Sequence, residues 1–327
     1  GIAHILEHSV LCGSKNFPVK EPFVELMKGS LQTFLNAMTF PDKTMYPVAS
    51  RNQKDFYNLM NVYLDAVFYP TISEDTFKQE GWHYELNSPE DKIVYKGVVL
   101  NEMKGEFPSP ESCIDRQLAH SLFPSTPYGF ESGGDPACIP NLSYGEFKEF
   151  HRKHYHPSNS RLFLYGDGDT QSYLDYLQAN YLKDFGLMDV NTSIPHQRSF
   201  RKAKRKNLTY PISSHESLEK KTYVLLGYKL DKAINHEHCL GFSILSHLLL
   251  GSSASPLRKA LITSELGSEV IGGGFDDNRA DTIFAVGLKG TEPEHEDKVL
   301  ALIDSTLREL AENGIEEDMI RSAVNSI

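Results

Sequence analysis

The chain has 327 residues, enough for about two domains that each bury a core. With 40% hydrophobic and 24% charged residues it reads as an ordinary globular protein, and no apolar run approaches the ~20 residues that cross a bilayer, so no membrane partner is expected. The 44 acidic residues against 33 basic ones leave a net charge of -11, which argues against nucleic acid as a partner and favours cationic ones.

Taken in chain order, the sequence predicts a helix over about 2 to 12, a Gly13-Ser-Lys-Asn16 turn and a second helix over about 21 to 29. Residues 31 to 40 and 44 to 50 flank a Pro41-Asp42-Lys43 turn and read as a β-hairpin. Helices are expected at about 53 to 68, 73 to 80 and 95 to 106, then a Pro-, Gly- and Ser-rich loop over 124 to 143 and a helix to about 154. Arg161 to Tyr165 reads as a short apolar strand that ends at Gly166-Asp167-Gly168-Asp169 before another helix. The basic run Arg201 to Lys206 marks the expected linker, dividing the chain into domains 1–205 and 206–327. Beyond it come a strand at 222 to 228, helices at 236 to 250 and 256 to 265, a strand at 282 to 289 and helices at 293 to 312 and 315 to 327. Residue 1 is Gly and the last helical pattern stops without a cap, so both ends read as cut and a leader would escape notice. Four cysteines, at 12, 113, 138 and 239, lack paired C-x-x-C spacing and read as reduced thiols.

His4-Ile5-Leu6-Glu7-His8 is an H-x-x-E-H pattern, the inverse of H-E-x-x-H. At about 100° per residue its two histidines and glutamate share one arc of roughly 100°, while Ile2, Leu6 and Val10 fall on the opposite side. Two imidazoles one turn apart suit zinc, with Zn–N bonds of about 2.0–2.1 Å, and Glu7 stands close enough to hold a water without binding the metal. A catalytic zinc needs a third protein ligand. Glu102 is the best candidate, Glu106 its rival one turn on, and Glu80 and Glu85 are not excluded by spacing.

Other metal-friendly or loop-forming patterns have plainer readings. His236-Glu-His238-Cys239 reads as a capped helix start and His151, His154 and His156 as groups at a helix end. Gly251 to Ser255 lacks the Gly-Lys-Ser/Thr ending of a phosphate loop and reads as a helix entry. Gly272-Gly-Gly274 reads as a flexible turn, and Phe56, Tyr57, Tyr63 and Phe68 recur at the spacing of a packed helix face.

The segments HILEHSVLCGS at 4 to 14, EPFVELMKGSLQTFLNA at 21 to 37, YLDAVFYP at 63 to 70, EGWHYEL at 80 to 86 and GVVLNEMKG at 97 to 105 resemble the presequence proteases, organellar oligopeptidases of the pitrilysin and insulin-degrading enzyme clan. SGGDP at 132 to 136, FHRKHYHPSN at 150 to 159 and GSSASPLRK at 251 to 259 extend the resemblance over nearly the whole chain. It implies an α+β fold: two homologous α/β domains of the mitochondrial-processing-peptidase and LuxS-like metallohydrolase type, each a mainly antiparallel sheet packed with helices. The first would lack its N-terminal strands and the second its C-terminal part. It also implies one zinc per chain on His4, His8 and Glu102, with Glu7 as catalytic base, and so selects Glu102 over Glu106. Its partners would be unfolded peptides, basic ones favoured, and the missing C-terminal half of the same polypeptide.

An exposed strand edge presents an extended peptide by β-augmentation, and Phe34, Leu35, Asn36, Ala37, Met38 and Thr39 fit that role, as the corresponding strand does in this clan. The expected activity is zinc-dependent endoproteolysis of oligopeptides such as cleaved targeting sequences, in the mitochondrial matrix or plastid stroma, with a bacterial cytoplasm as alternative. The competing reading is a catalytically silent structural or peptide-binding module of the same fold, against which the intact motif and Glu102 weigh.

Overall fold

The computed structural model describes residues 1–20 and 22–327; Glu21, where the second helix was expected to begin, lies outside the described residues. From the N-terminus run α1 (Ile2–Val10), α2 (Pro22–Gly29), β1 (Gln32–Leu35), β2 (Met38–Thr39), β3 (Thr44–Met45), β4 (Val48–Ser50), α3 (Gln53–Phe68), α4 (Glu74–Glu80), β5 (His83–Glu85), β6 (Val94–Lys96) and α5 (Val98–Glu106). Then follow α6 (Pro110–Leu122), α7 (Tyr144–His154), α8 (Thr170–Asn180), β7 (Thr222–Lys232), α9 (His236–Leu250), α10 (Pro256–Thr263), β8 (Glu269–Asp276), β9 (Asp281–Thr291), α11 (Glu296–Asn313) and α12 (Glu317–Ser326). Every paired ladder among the described residues is antiparallel.

Two compact units divide the chain, one of Gly1–Phe107 and Glu131–Ser193, the other of Pro108–Phe130 and Ile194–Ile327. The first centres on α1. Ile5, Leu6 and Val10 lose all contact with solvent against Val99 and Leu100 of α5, Phe77 of α4, Phe147 of α7 and Ile139 in the turn before α7. The expected hairpin forms as two short ladders, β1 with β4 and β2 with β3, closed by the Phe40 N–H donating to the Lys43 carbonyl at 2.8 Å. A second cluster joins Met60, Leu64 and Phe68 of α3 to Leu177 and Tyr181, with Phe56 and Tyr57 packed on it.

Three expectations in this unit are corrected. Residues 95 and 96 are strand rather than helix, because Tyr95 and Lys96 pair with Tyr84 and His83 in a hairpin that delays α5 to Val98. Arg161 to Tyr165 forms no strand: no neighbouring strand lies beside it among the described residues, and Phe163 and Tyr165 stand 87% and 92% exposed. Phe34 to Thr39 is not one strand but β1 and β2, interrupted at Asn36 and Ala37 where the Asn36 side chain accepts from the Ala37 N–H.

The second unit is built on the sheet β7-β9-β8. Val286 and Leu288 of β9 are fully buried against Leu257 and Leu261 of α10 and Val299 and Ile303 of α11. Helix α6, which no sequence reading anticipated, packs on β7, with Leu118 filling the space beside Gly227. Residues 272 to 274 lie within β8 rather than in a free turn; all three glycines have positive φ, at 103°, 70° and 79°, and make the ladder to β9 bulge. The segment from Ile194 belongs to the second unit. Asp281, 1% exposed at the start of β9, accepts from the Gln197 N–H at 2.7 Å and faces His196 at 3.1 Å and Lys229 at 3.5 Å, tying the segment from Ile194 into the second unit. No disulfide joins the cysteines among the described residues, and no described helix is long and apolar enough to cross a membrane.

Candidate metal centre

The apolar stripe of α1 buries itself and leaves His4, Glu7 and His8 on the other side of the helix. His4 and Glu7 are 8% and 7% exposed, yet neither belongs to the hydrophobic cluster beneath. The two imidazoles meet edge to face with ring centroids 4.9 Å apart. On α5, burial of Val99, Leu100 and Met103 turns Glu102 the opposite way, toward them. Its Oε2 lies 3.7 Å from His4 Nε2 and 3.8 Å from His8 Nε2. Among the described residues, His4, His8 and Glu102 are the one group of three whose donor atoms gather within 4.8 Å.

The far side of each ring is engaged. His4 Nδ1 lies 3.1 Å from the Gly133 carbonyl, and His8 Nδ1 lies 3.2 Å from Oε2 of Glu80 at the end of α4. Glu80 is 6% exposed, and its other oxygen accepts from Gln79 Nε2 at 2.8 Å and faces the Cys12 thiol at 3.7 Å. Burial alone pulls the His8 pKa down, but the Glu80 hydrogen bond and charge outweigh it and hold the imidazole above its ordinary value. Burial pushes Glu80 the other way, and the hydrogen bonds from His8, Gln79 and Cys12 overcome it, keeping the carboxyl below the usual range. With Nδ1 occupied on both rings, the Nε2 lone pairs face Glu102. Two neutral imidazoles and one carboxylate form a donor set that suits a divalent transition metal, so the residues present fit such an ion.

Beside α1, Tyr46 and Tyr155 share a 2.8 Å hydroxyl contact. Burial, mutual interaction and the charge of Glu7 push Tyr46 well up, and burial takes Tyr155 up to about 12, so both stay neutral donors. The β2–β3 hairpin packs on α1. Of the candidate peptide-facing residues, Phe34 is 48% exposed, Asn36 is exposed, and Leu35, Ala37, Met38 and Thr39 are half-buried. The Asn36 carbonyl accepts from the Tyr63 hydroxyl and its N–H donates to Pro47, so this stretch is held from one side.

The other candidates lie apart from this cluster. Glu85 pairs with Lys96 on the β5–β6 hairpin, and Glu106 is not in the group. His238 pairs with Asp231 while Asn235 caps α9, as expected of a helix start. Sequence reasoning weighed Glu80 only as a possible ligand; that it holds His8 from behind depends on α4 packing on α1, which no local spacing encodes.

Residues 1–106 match the family described as Insulinase (Peptidase family M16), and residues 141–327 match the Peptidase M16 inactive domain. The chain is 50% identical over its full length to Presequence protease 1, chloroplastic/mitochondrial, of Arabidopsis thaliana, of which it covers 31%. It is 49% identical to Protein HypA of Clostridium perfringens and 40% identical to the mitochondrial presequence protease of Xenopus laevis, again over its full length, covering 34% and 32% of them. The chain thus spans about a third of the length of the curated relatives it matches. Among solved structures, a protease from Helicobacter pylori superposes with a TM-score of 0.72 at 20% identity, covering 99% of this chain and 74% of that one. Pitrilysin superposes with a TM-score of 0.59 at 19% identity, covering 98% and 32%; both likenesses show a shared fold. With its two matched regions, its α+β fold and its full-length similarity to presequence proteases, the chain belongs to peptidase family M16.

Proposed function

We propose that this chain carries the metal-binding part of a zinc metalloendopeptidase that degrades unfolded oligopeptides such as cleaved targeting presequences. The observation that carries the reading is the approach of His4 Nε2, His8 Nε2 and Glu102 Oε2 to one another, at the helix that also carries Glu7. In this reading His4, His8 and Glu102 hold one zinc, and Glu7, three residues after His4 and directly before His8 in the same arc, is the general base. Bound zinc supplies a Lewis acid that polarises a peptide carbonyl and acidifies water. Glu7 takes the proton of the attacking water and returns it to the departing amine. Glu80 keeps His8 oriented with Nε2 forward.

Phe34 to Thr39 offer the extended substrate a backbone edge. The substrate backbone then lies along the hairpin that packs on α1, which brings a scissile bond to Glu7. The net charge of -11 favours basic peptides, the character of many targeting sequences. The greater length of the relatives supports a further part of the same polypeptide as the partner that completes the peptidase. Their names suggest the mitochondrial matrix or plastid stroma, and the clostridial relative makes a bacterial cytoplasm the alternative.

Glu7→Gln tests the assignment. It is expected to retain zinc at the parent's stoichiometry while hydrolysis of an unfolded peptide falls by roughly 10²–10⁴-fold. Full activity in that variant, or loss of its zinc, contradicts the role given to Glu7. A folded parent that takes up no zinc is instead the silent module.

A further inference from the structure

The segment Glu131 to Asp135 lies far from α1 in sequence and comes back to touch the rear of His4. The Gly133 carbonyl, 3.1 Å from His4 Nδ1, can only accept, so Nδ1 carries the proton and the lone pair is left on Nε2. The loop is itself gripped: the Glu131 carboxylate accepts the Gly133 N–H at 3.2 Å, and the Glu131 carbonyl accepts the Gly134 N–H at 3.2 Å. Position 133 has no room for a side chain as it stands. A Cβ there would come within 2.5 Å of the Met103 sulfur and 3.5 Å of His4 Nδ1, and Met103 directly follows Glu102 on α5. Gly134 turns the chain with φ of 105°, in the region that disfavours side chains. One short loop therefore touches both the helix that carries the histidines and the helix that carries the carboxylate. His8 is backed by the buried Glu80 carboxylate and His4 only by this peptide dipole, so the orientation of His4 depends on where the loop is held.

We propose that Glu131 and Gly133 are positioning residues for metal binding: Glu131 anchors the loop, and Gly133 fixes the tautomer and rotation of His4 while letting Met103 seat α5 close by. The inference rests on the metallopeptidase reading above. It is tested in the full chain by zinc affinity, measured in competition with a chromophoric chelator. Long-range proton–nitrogen spectra of the imidazoles in the metal-free protein complete the test.

Glu131→Ala is expected to weaken zinc binding about tenfold, with the metal-free unfolding midpoint unchanged and the His4 signal moved away from the pure Nδ1–H form. Glu131→Gln, whose amide oxygen accepts the same N–H, restores most of the affinity and the parent tautomer. Gly133→Ala, which displaces Met103, gives a loss of the same order. Parent-like affinity in both alanine variants, or weakened affinity with the His4 tautomer intact, overturns the inference while leaving the metallopeptidase reading standing. A parent chain that takes up no zinc overturns that reading, and the inference falls with it.

Discussion

Glu80 and His151 show how burial acts on single groups in opposite ways. Glu80 is buried but surrounded by donors, and it stays charged because His8, Gln79 and Cys12 face it. Replacing it by alanine leaves His8 Nδ1 without an acceptor, and zinc affinity should fall by roughly 10–100-fold in a chelator competition, with Glu80→Gln recovering part of the loss. His151, stacked on Tyr155, is partly buried with its Nε2 unpaired, and burial lowers its pKa below the ordinary 6.5 despite a backbone contact at Val67. The unfolded chain therefore binds this proton more readily than the folded one. The associated stability is complete above about pH 6.5 and is lost as the pH falls from there toward the lower folded value. His151→Gln should flatten the acid side of the stability curve below about pH 6.5, measured by denaturant titration; an unchanged slope contradicts this role of the buried imidazole.

At the scale of elements, the site depends on how closely α4, α5 and α1 approach. Gly97 opens α5, and a Cβ there would lie 2.0 Å from the carbonyl oxygen of Gly81, the C-cap residue of α4. Gly97→Ala should force these helix ends apart, costing about 1–3 kcal/mol in thermal or denaturant unfolding. It should also weaken zinc binding, because Glu80 and Glu102 sit on the two helices displaced; unchanged stability would contradict so tight an approach. The elements legible in the sequence are those whose signals are local. The α1 stripe, the spacing of Phe56, Tyr57, Tyr63 and Phe68 on α3, and the Pro41-Asp42-Lys43 turn mark structures within two residues of where they lie. Arg161 to Tyr165 was misread because an apolar run becomes a strand only beside a partner. Helix α6 carries a Ser109 cap and Pro110 at its first position, yet buries only Leu122, so its apolar periodicity is faint.

For the whole molecule, the candidate ligands were legible and the groups behind them were not. The arc of His4, Glu7 and His8 follows from helical geometry, but Glu102 was separated from Glu106, Glu80 and Glu85 only by resemblance until the packing of α5 brought its carboxylate to the imidazoles. Glu80 and Gly133 reach the rings through tertiary contacts spanning 72 and 129 residues, which no periodicity encodes. The contacts that hold the second unit together at its edges are likewise tertiary: the Gln197 N–H donates to Asp281, and α6 packs on β7. Zinc binding by the metal-free chain, followed by titration alongside single alanine variants at His4, His8 and Glu102, tests the central claim most directly. The account predicts about one zinc per parent chain and a loss of more than about 100-fold in affinity in each variant. Parent-like affinity in any of the three, or a folded parent that binds none, would contradict it.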